Sequence, residues 1–225
     1  MPCFSEVSEG LSMPLVDAME TQRAIRRLRT DPVDDSTVLR CLELATKAPS
    51  GGARDSYEFI VVRDPEIKHQ LARLNRQAWA VYRRCIALSG RSKDARTAKI
   101  VAATQWQADR FEEVPVIVVA CARGFRIPFF TLNNTTMYGS VYPAVQNLLL
   151  AARSLGLGAT LTTLPVWSTL LARRTLGLPL GVTPVAVVPL GWPQGAYGPT
   201  TRRPVAQSVH LNRYGNRAFV TQSKT

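Results

Sequence analysis

Three short runs of apolar, mostly β-branched residues limit most strongly what this chain can fold into. They are YEFIVVR at residues 57–63, VPVIVVACA at 114–122 and VTPVAVVPLG at 182–191. Runs of this length and composition are typical of strands in the interior of a sheet. We therefore predict three core strands, the first of them buried on both faces, and a further strand over GATLTT at 158–163.

Helical patterns occupy most of the chain between these strands. Asp64-Pro65 predicts a helix start, because Asp is a favoured N-cap and Pro is tolerated at the first helical position. Residues 124–137 have no period and are predicted to be an irregular loop. Too few strand–helix–strand units are regular for a doubly wound sheet. Helices are predicted over 36–47, from 64 to Cys85 or beyond, and over about 98–112, 140–157 and 165–176.

The acidic residues of the chain all lie in its first half. All 16 Asp and Glu occur at or before Glu113, and residues 114–225 contain ten Lys and Arg with no acid. Any carboxylate general base or metal ligand must therefore come from the first half. The second half must face solvent or bind an anionic ligand. A small phosphorylated ligand needs two or three arginines, whereas duplex DNA needs a continuous basic stripe.

Other features argue against several classes of protein. No stretch of about eighteen apolar residues is present to span a membrane, and the first ten residues do not resemble an export signal. The cysteines are far apart, and the two histidines cannot complete a zinc site. We predict one domain and a cytoplasmic protein with reduced thiols at Cys3, Cys41, Cys85 and Cys121.

A cluster of arginines lies in TQRAIRRLRTDPV at residues 21–33, at positions 23, 26, 27 and 29. It is either a solvated helix end or part of a phosphate site that needs a second basic segment. TTRRP at 200–204 is the candidate for that segment, because Arg202 and Arg203 have no acid near them in sequence. Arginine binds phosphate through two parallel hydrogen bonds. The spacing leaves both interpretations open.

Two glycine-rich segments carry no acid–base or nucleophile pair. APSGG at 48–52 is either a helix-to-strand turn or a loop whose uncovered amides let a planar ligand approach. LGLGATLTT at 155–163 differs from G-x-G-x-x-G in spacing and context, so Rossmann-type binding is rejected. Walker A and G-x-S-x-G sequences are absent. These features favour an enzyme whose cofactor carries the chemistry, or a non-catalytic binder.

Several short motifs also follow one another in a recognisable order. They are QRAIR (22–26), DPV (31–33), APSGG (48–52), FIVV (59–62), RDPE (63–66), QNLLLAARSLGLG (146–158), VVPLGWP (187–193) and RRP (202–204). No single motif is decisive, but the ordered set resembles the FMN-dependent nitroreductase family. The resemblance covers about residues 17–215, which we predict to be the FMN-binding domain between tails at 1–16 and 216–225.

The resemblance implies an α+β fold, with a mixed, mainly antiparallel sheet flanked by helices, and an intertwined homodimer with FMN at the interface. Members of the family transfer hydride from NAD(P)H to FMN N5 and then reduce a second substrate, commonly a nitroaromatic or a quinone. The implied partners are a second copy of the chain and a small-molecule acceptor, with no nucleic acid and no membrane. No side chain is implied to be catalytic, because flavin N5 carries the chemistry.

The resemblance further implies which residues contact FMN. Arg23 and Arg26 would meet the phosphate and the pyrimidine edge, while Arg27 and Arg29 would face solvent or the neighbouring chain. The strand end at 161–164 would reach flavin N5 and O4 through its backbone, and the segment 49–51 would come from the partner subunit. The implied set is Gln22, Arg23, Ala24, Arg26, Pro49, Ser50, Gly51, Ala53, Leu161, Thr162, Thr163, Leu164, Arg202 and Arg203.

Some positions depart from the family pattern. Gln22 and Ala24 stand where Arg and Ser are common, Ala53 replaces an Asn that contacts the flavin, and Asp55 adds a negative charge. A charge-assisted hydrogen bond contributes roughly 1.5–3 kcal/mol. We expect these losses to weaken FMN binding by about one to three orders of magnitude unless the extra arginines compensate.

Three functions stay open at this point. The first is an FMN-dependent NAD(P)H oxidoreductase, and the second is a family member that binds flavin with little or unusual turnover, as in flavin storage or sequestration. The third is a basic nucleic-acid-binding protein. A yellow protein would separate the first two from the third, and bleaching by a nicotinamide would separate the first from the second. Only a steep salt dependence of DNA binding would support the third.

Overall fold

The computed structural model describes residues 11–51, 56–90, 94–124 and 131–217, without the side chains of residues 131–134. Its helices are α1 (Leu15–Thr21), α2 (Asp35–Ala45), α3 (Pro65–Leu88), α4 (Ala95–Asp109), α5 (Thr131–Ser154) and α6 (Thr169–Leu176). Its strands are β1 (Tyr57–Val62), β2 (Val116–Arg123), β3 (Gly158–Ala159) and β4 (Val182–Gly191). Short 3-10 helices lie at Phe111–Glu113, Leu164–Val166 and Val205–Gln207.

These four strands form one antiparallel sheet in the order β1-β2-β4-β3. The three core strands predicted from sequence are confirmed, but burial on both faces is wrong for β1. That strand lies at the edge of the sheet, where Val61 is 38% exposed. The strand predicted over 158–163 is also shorter than expected, since only β3 pairs regularly and Thr162 makes a single bridge to Val187.

The two faces of the sheet pack against different helices. On β2, Val116, Val118 and Ala120 belong to the core cluster that contains residues of α2 and α5. The alternate residues Ile117 and Val119 belong to a second cluster with residues of α3 and α6. Because successive side chains of a strand point to opposite faces, an unbroken apolar run fits this arrangement, in which both faces are covered.

Local sequence signals account for several helix ends. The Asp64 carboxylate accepts a hydrogen bond from the backbone N–H of Ile67 at 2.9 Å, which confirms the predicted N-cap of α3. Helix α6 ends at Leu176 and is followed by Gly177, whose φ of 61° is left-handed and suits glycine.

The N-terminal part of α5 contradicts the sequence-based prediction. The irregular loop predicted over 124–137 is wrong for residues 131–137, which are helical, whereas 125–130 lie outside the described residues. The helix also ends at Ser154, before the predicted 157. Its first turns are polar and weakly helix-forming, and Pro143 lies within the helix, so tertiary packing overrides local propensity.

The described thiols are free, as the spacing of the cysteines predicts. Cys41 and Cys121 are buried, and burial raises the pKa of each thiol to about 12, whereas Cys85 is exposed. Among the described residues, no helix is both long enough and apolar enough to cross a lipid bilayer.

Candidate functional site

The arginine-rich segment after α1 runs between the end of β3 and the turn after β4. The backbone N–H of Ile25 donates to the carbonyl of Ala159 at 3.0 Å, and that of Arg29 donates to the carbonyl of Trp192 at 2.8 Å. The Thr160 hydroxyl also donates to the carbonyl of Ile25 at 2.6 Å. These bonds attach the segment to the end of β3 and to the turn after β4.

A cavity of about 590 Å³ opens beside this segment. We call it the main cavity. One side is formed by Arg26 and by residues 160–164, and the other by side chains of α3 and α4. Its volume lies within the range of about 300–1,000 Å³ that is usual for small-molecule sites. From α3 and α4 it is lined by Trp79, Tyr82, Ile86, Thr97, Ile100, Val101, Thr104 and Gln107.

Among the described residues that line the main cavity, Arg26 is the charged one. It is half-buried, and within the described ranges its guanidinium has no ion pair and no side-chain hydrogen bond. Burial lowers the pKa of Arg26, but a guanidinium stays charged at neutral pH. A half-buried cation without a counter-ion is unfavourable by itself, so this position is suited to an anionic or electron-rich ligand.

A second depression of about 410 Å³ meets the main cavity at Arg26. We call it the side groove. Residues 23–27 form one wall, and Ala103 of α4 and residues 194–196 complete it. The two spaces share Arg26, and Arg23 lines the side groove. Two spaces that share an arginine suit a ligand with a flat part and a phosphate-bearing tail.

The C-terminal segment that follows residues 194–196 of the side groove is attached to the rest of the chain by three contacts. The Tyr197 hydroxyl donates to the carbonyl of Leu157, and the Arg153 guanidinium lies 4.0 Å from the centre of the Tyr197 ring. The backbone N–H of Thr200 donates to the carbonyl of Glu20 at 2.8 Å. Burial raises the pKa of Tyr197 to about 12, with Arg153 acting in the opposite direction, so the hydroxyl stays a donor at neutral pH.

A model of the nitroreductase family matches residues 19–192, which is most of the chain. The chain belongs to the nitroreductase family. The predicted nitroreductase-like fold is confirmed by the same match and by the solved structures described next.

Relatives of this nitroreductase-family chain have different chemistries. A provisionally named NADH dehydrogenase/NAD(P)H nitroreductase of Methanothermobacter thermautotrophicus is 30% identical over 194 residues, which are 84% of this chain and 82% of the relative. Iodotyrosine deiodinase 1 of Rattus norvegicus is 24% identical over 201 residues, or 88% of this chain and 69% of the relative. A solved oxidised iodotyrosine deiodinase, bound to FMN and 3-iodo-L-tyrosine, has a TM-score of 0.68 at 20% identity, covering 90% of this chain and all of that one.

The structure brings together one group of the residues implied by the nitroreductase resemblance. Arg23, Ala24 and Arg26 line the side groove, while Arg26 and residues 161–164 line the main cavity. Gln22 is half-buried at the end of α1, where its backbone N–H donates to the carbonyl of Ala18 at 2.8 Å.

A second group does not line these two spaces within one chain. Pro49, Ser50 and Gly51 are not among the residues around either space, and the backbone N–H of Gly51 instead donates to Ser140 Oγ at 3.0 Å. Arg202 and Arg203 are exposed and follow the Thr200 attachment without lining either space. Ala53 lies outside the described residues. A contribution of 49–51 from a partner subunit stays a prediction.

The other two arginines of the cluster have local roles. Arg29 pairs with Asp31 at 3.1 Å, and the Arg27 guanidinium lies 5.9 Å from the centre of the Trp106 ring. Both are exposed. Because Arg27 also lines the side groove with Arg23 and Arg26, Arg29 is the arginine of this cluster least suited to bind a ligand.

Sequence reasoning missed the α3–α4 wall of the main cavity. Gln107 is only 5% exposed, and its Nε2 has no hydrogen-bond partner among the described residues. The sequence contained a signal for this wall, because Ile100, Thr104 and Gln107 are spaced so that they lie on one face of a helix. Gln107 places a polar amide on that inward face. What that face packs against could not be known without the tertiary structure.

Proposed function

We propose that this chain is an FMN-dependent oxidoreductase that accepts hydride from NAD(P)H and passes it to a nitroaromatic, a quinone or a similar acceptor. The family assignment and the name of the relative that is 30% identical support an oxidoreductase. The FMN of the solved deiodinase supports the choice of cofactor for this fold. A homodimer is part of the proposal, since the segment 49–51 would complete the site from the partner subunit.

The observation that carries the proposal is the position of Arg26 beside residues 160–164 on one side of the main cavity. Its unpaired guanidinium suits the edge of the flavin ring where negative charge increases on reduction. The main cavity and the side groove, which share Arg26, would accommodate a ring and a phosphate tail. The residues present therefore fit FMN, which when bound would supply hydride transfer at N5.

The chain's own residues would bind and orient this cofactor. Arg23 and the backbone of the side groove would hold the phosphate, and Arg26 the pyrimidine edge of the ring. The N–H of Leu164 is 3.3 Å from Thr162 Oγ1, a long hydrogen bond that a ligand oxygen can replace. The aromatic and aliphatic side chains of α3 and α4 would exclude water from the space above the ring.

The first test is the absorption spectrum of the purified protein, before and after anaerobic addition of NADPH or NADH. The visible flavin bands should be present and should bleach with at least one nucleotide. A protein that carries no flavin and takes up no added FMN would contradict the proposal. The family membership would then describe a fold without this activity.

Replacing Arg203 with alanine is expected to weaken FMN binding by about 10- to 100-fold, since a charge-assisted hydrogen bond contributes about 1.5–3 kcal/mol. The motif RRP and the attachment at Thr200 support a phosphate contact by this residue. The dissociation constant is measured by titrating apoprotein with FMN. Arg213, which is also exposed and C-terminal, is the matched control for loss of one charge. Equal affinities of Arg203→Ala and the wild type would remove Arg203 from the site.

A second candidate is a flavin-binding protein with little or unusual turnover, favoured by one observation. Gln22 and Ala24 stand where family members commonly have Arg and Ser, and Ala24 lines the side groove. Flavin that stays bound yet does not bleach with either nucleotide would support this candidate over the first.

A further inference from the structure

Gln107 on α4 is a buried amide in the wall of the main cavity. Its Nε2 has no hydrogen-bond partner among the described residues. Leaving a buried donor unsatisfied is unfavourable, and such groups are rare unless a ligand or an ordered water completes them. An apolar side chain at this position would avoid the cost of a buried, unsatisfied amide. The presence of glutamine therefore suggests a role in binding a ligand.

Three other polar groups nearby on this wall already have partners, whereas the Tyr82 side chain is 54% exposed. The Trp79 Nε1–H donates to Gln105 Oε1 at 2.8 Å. The hydroxyl of Thr97 donates to Asp94 Oδ2 at 2.9 Å, and that of Thr104 donates to the carbonyl of Ile100 at 2.8 Å. Gln107 is therefore a buried polar side chain of this wall whose amide nitrogen has no partner among the described residues.

The other side chains of this wall indicate the chemical class of ligand that would bind beside Gln107. Ile86, Ile100 and Val101 are aliphatic, and Trp79 and Tyr82 contribute rings whose centres are 6.1 Å apart. Such a surface favours a flat, uncharged, aromatic molecule. Arg26 and residues 160–164 lie on the other side, where the proposed function places the flavin ring.

We infer that Gln107 orients the electron acceptor by donating a hydrogen bond from Nε2 to the oxygen of a flat, uncharged aromatic carbonyl compound, such as a quinone. The inference rests on the proposed function. A rotation about the terminal side-chain torsion, which is soft for an amide, turns Nε2 toward the cavity without moving α4. The quinone gains a hydride from the reduced flavin and a proton from solvent, and leaves as the hydroquinone while the flavin is reoxidised.

The test compares wild type with Gln107→Leu, which keeps the side-chain size and removes the donor. Equilibrium dialysis of the oxidised, FMN-loaded protein against 1,4-naphthoquinone measures binding without turnover. The variant should bind the quinone about three- to tenfold more weakly, the range for one neutral hydrogen bond. Gln77→Leu makes the same change at an exposed position of α3 and should bind as the wild type does.

Two further measurements separate orientation of the acceptor from a structural role. The unfolding temperature of Gln107→Leu without acceptor should equal or exceed that of the wild type, because the variant loses an unsatisfied donor. After chemical reduction of the flavin, reoxidation by 1,4-naphthoquinone should slow by about three- to tenfold, whereas reoxidation by ferricyanide, which needs no such hydrogen bond, should not change.

The outcomes distinguish the two proposals. A wild-type protein that takes up no FMN contradicts the proposed function and the inference with it. A wild-type protein that holds FMN, with a Gln107→Leu variant of equal quinone affinity, contradicts the inference alone. A variant that loses FMN or unfolds at a lower temperature also contradicts it, because Gln107 would then support the cofactor or the fold.

Discussion

Replacing Arg26 with glutamine is expected to weaken FMN binding by about 10- to 100-fold, because the side chain would lose a charge-assisted contact. The reduction potential of bound flavin should also fall by about 30–60 mV, since 30 mV corresponds to about 1.4 kcal/mol for two electrons. The reason is that the cation would stabilise negative charge on the reduced ring. Arg26 is suited to this role because it is half-buried, faces the main cavity and has no ion pair in the described part of the chain.

The measurements are an FMN titration of apoprotein and a spectroscopic redox titration of the loaded protein. Arg29→Gln is the matched control, because Arg29 belongs to the same cluster but is exposed and pairs with Asp31. The apoprotein of Arg26→Gln should be at least as stable as wild type, since an unpaired cation is removed. Equal losses of FMN affinity in both variants would indicate only a general charge effect.

Replacing Gly158 with alanine is expected to destabilise the fold by about 1–3 kcal/mol and to lower FMN affinity together with stability. An added Cβ would lie 2.6 Å from Leu28 Cδ2 and 2.8 Å from Ile25 Cγ2, which is closer than carbon atoms pack. Leu28 is buried, so the clash would displace the segment that carries Arg26. Chemical denaturation measures the stability, and an FMN titration measures the affinity.

A double-mutant cycle with Leu28→Ala identifies the cause. Removing the Leu28 side chain removes the shortest of these contacts, so the double variant should be more stable than the sum of the single effects predicts. Gly139→Ala is the control, because an added Cβ there meets no atom within 4 Å. Strict additivity of Gly158→Ala and Leu28→Ala would contradict the proposed close approach.

The sequence was sufficient to predict those helix ends and strands that depend on residues close together in the chain. The N-cap at Asp64, the left-handed Gly177 and the apolar runs of β2 and β4 depend on short-range chemistry, so the sequence is sufficient for them. The helical start of α5 was missed because its first turns are polar and are helical only in their tertiary context. The exposure of β1 was missed because an apolar run does not reveal whether a strand is central or at the edge.

The sequence by itself indicated the family and the candidate ligand-binding arginines at 23, 26, 202 and 203, because ordered motifs and residue types are properties of the chain. Only the tertiary structure decided that Arg26 faces a cavity without a counter-ion among the described residues, and that Gln107, eighty-one positions away in the chain, lines the same cavity. The physical reason is that the free energy of a charged or polar side chain depends on burial and on its partners. Both are decided by which distant segments pack against it.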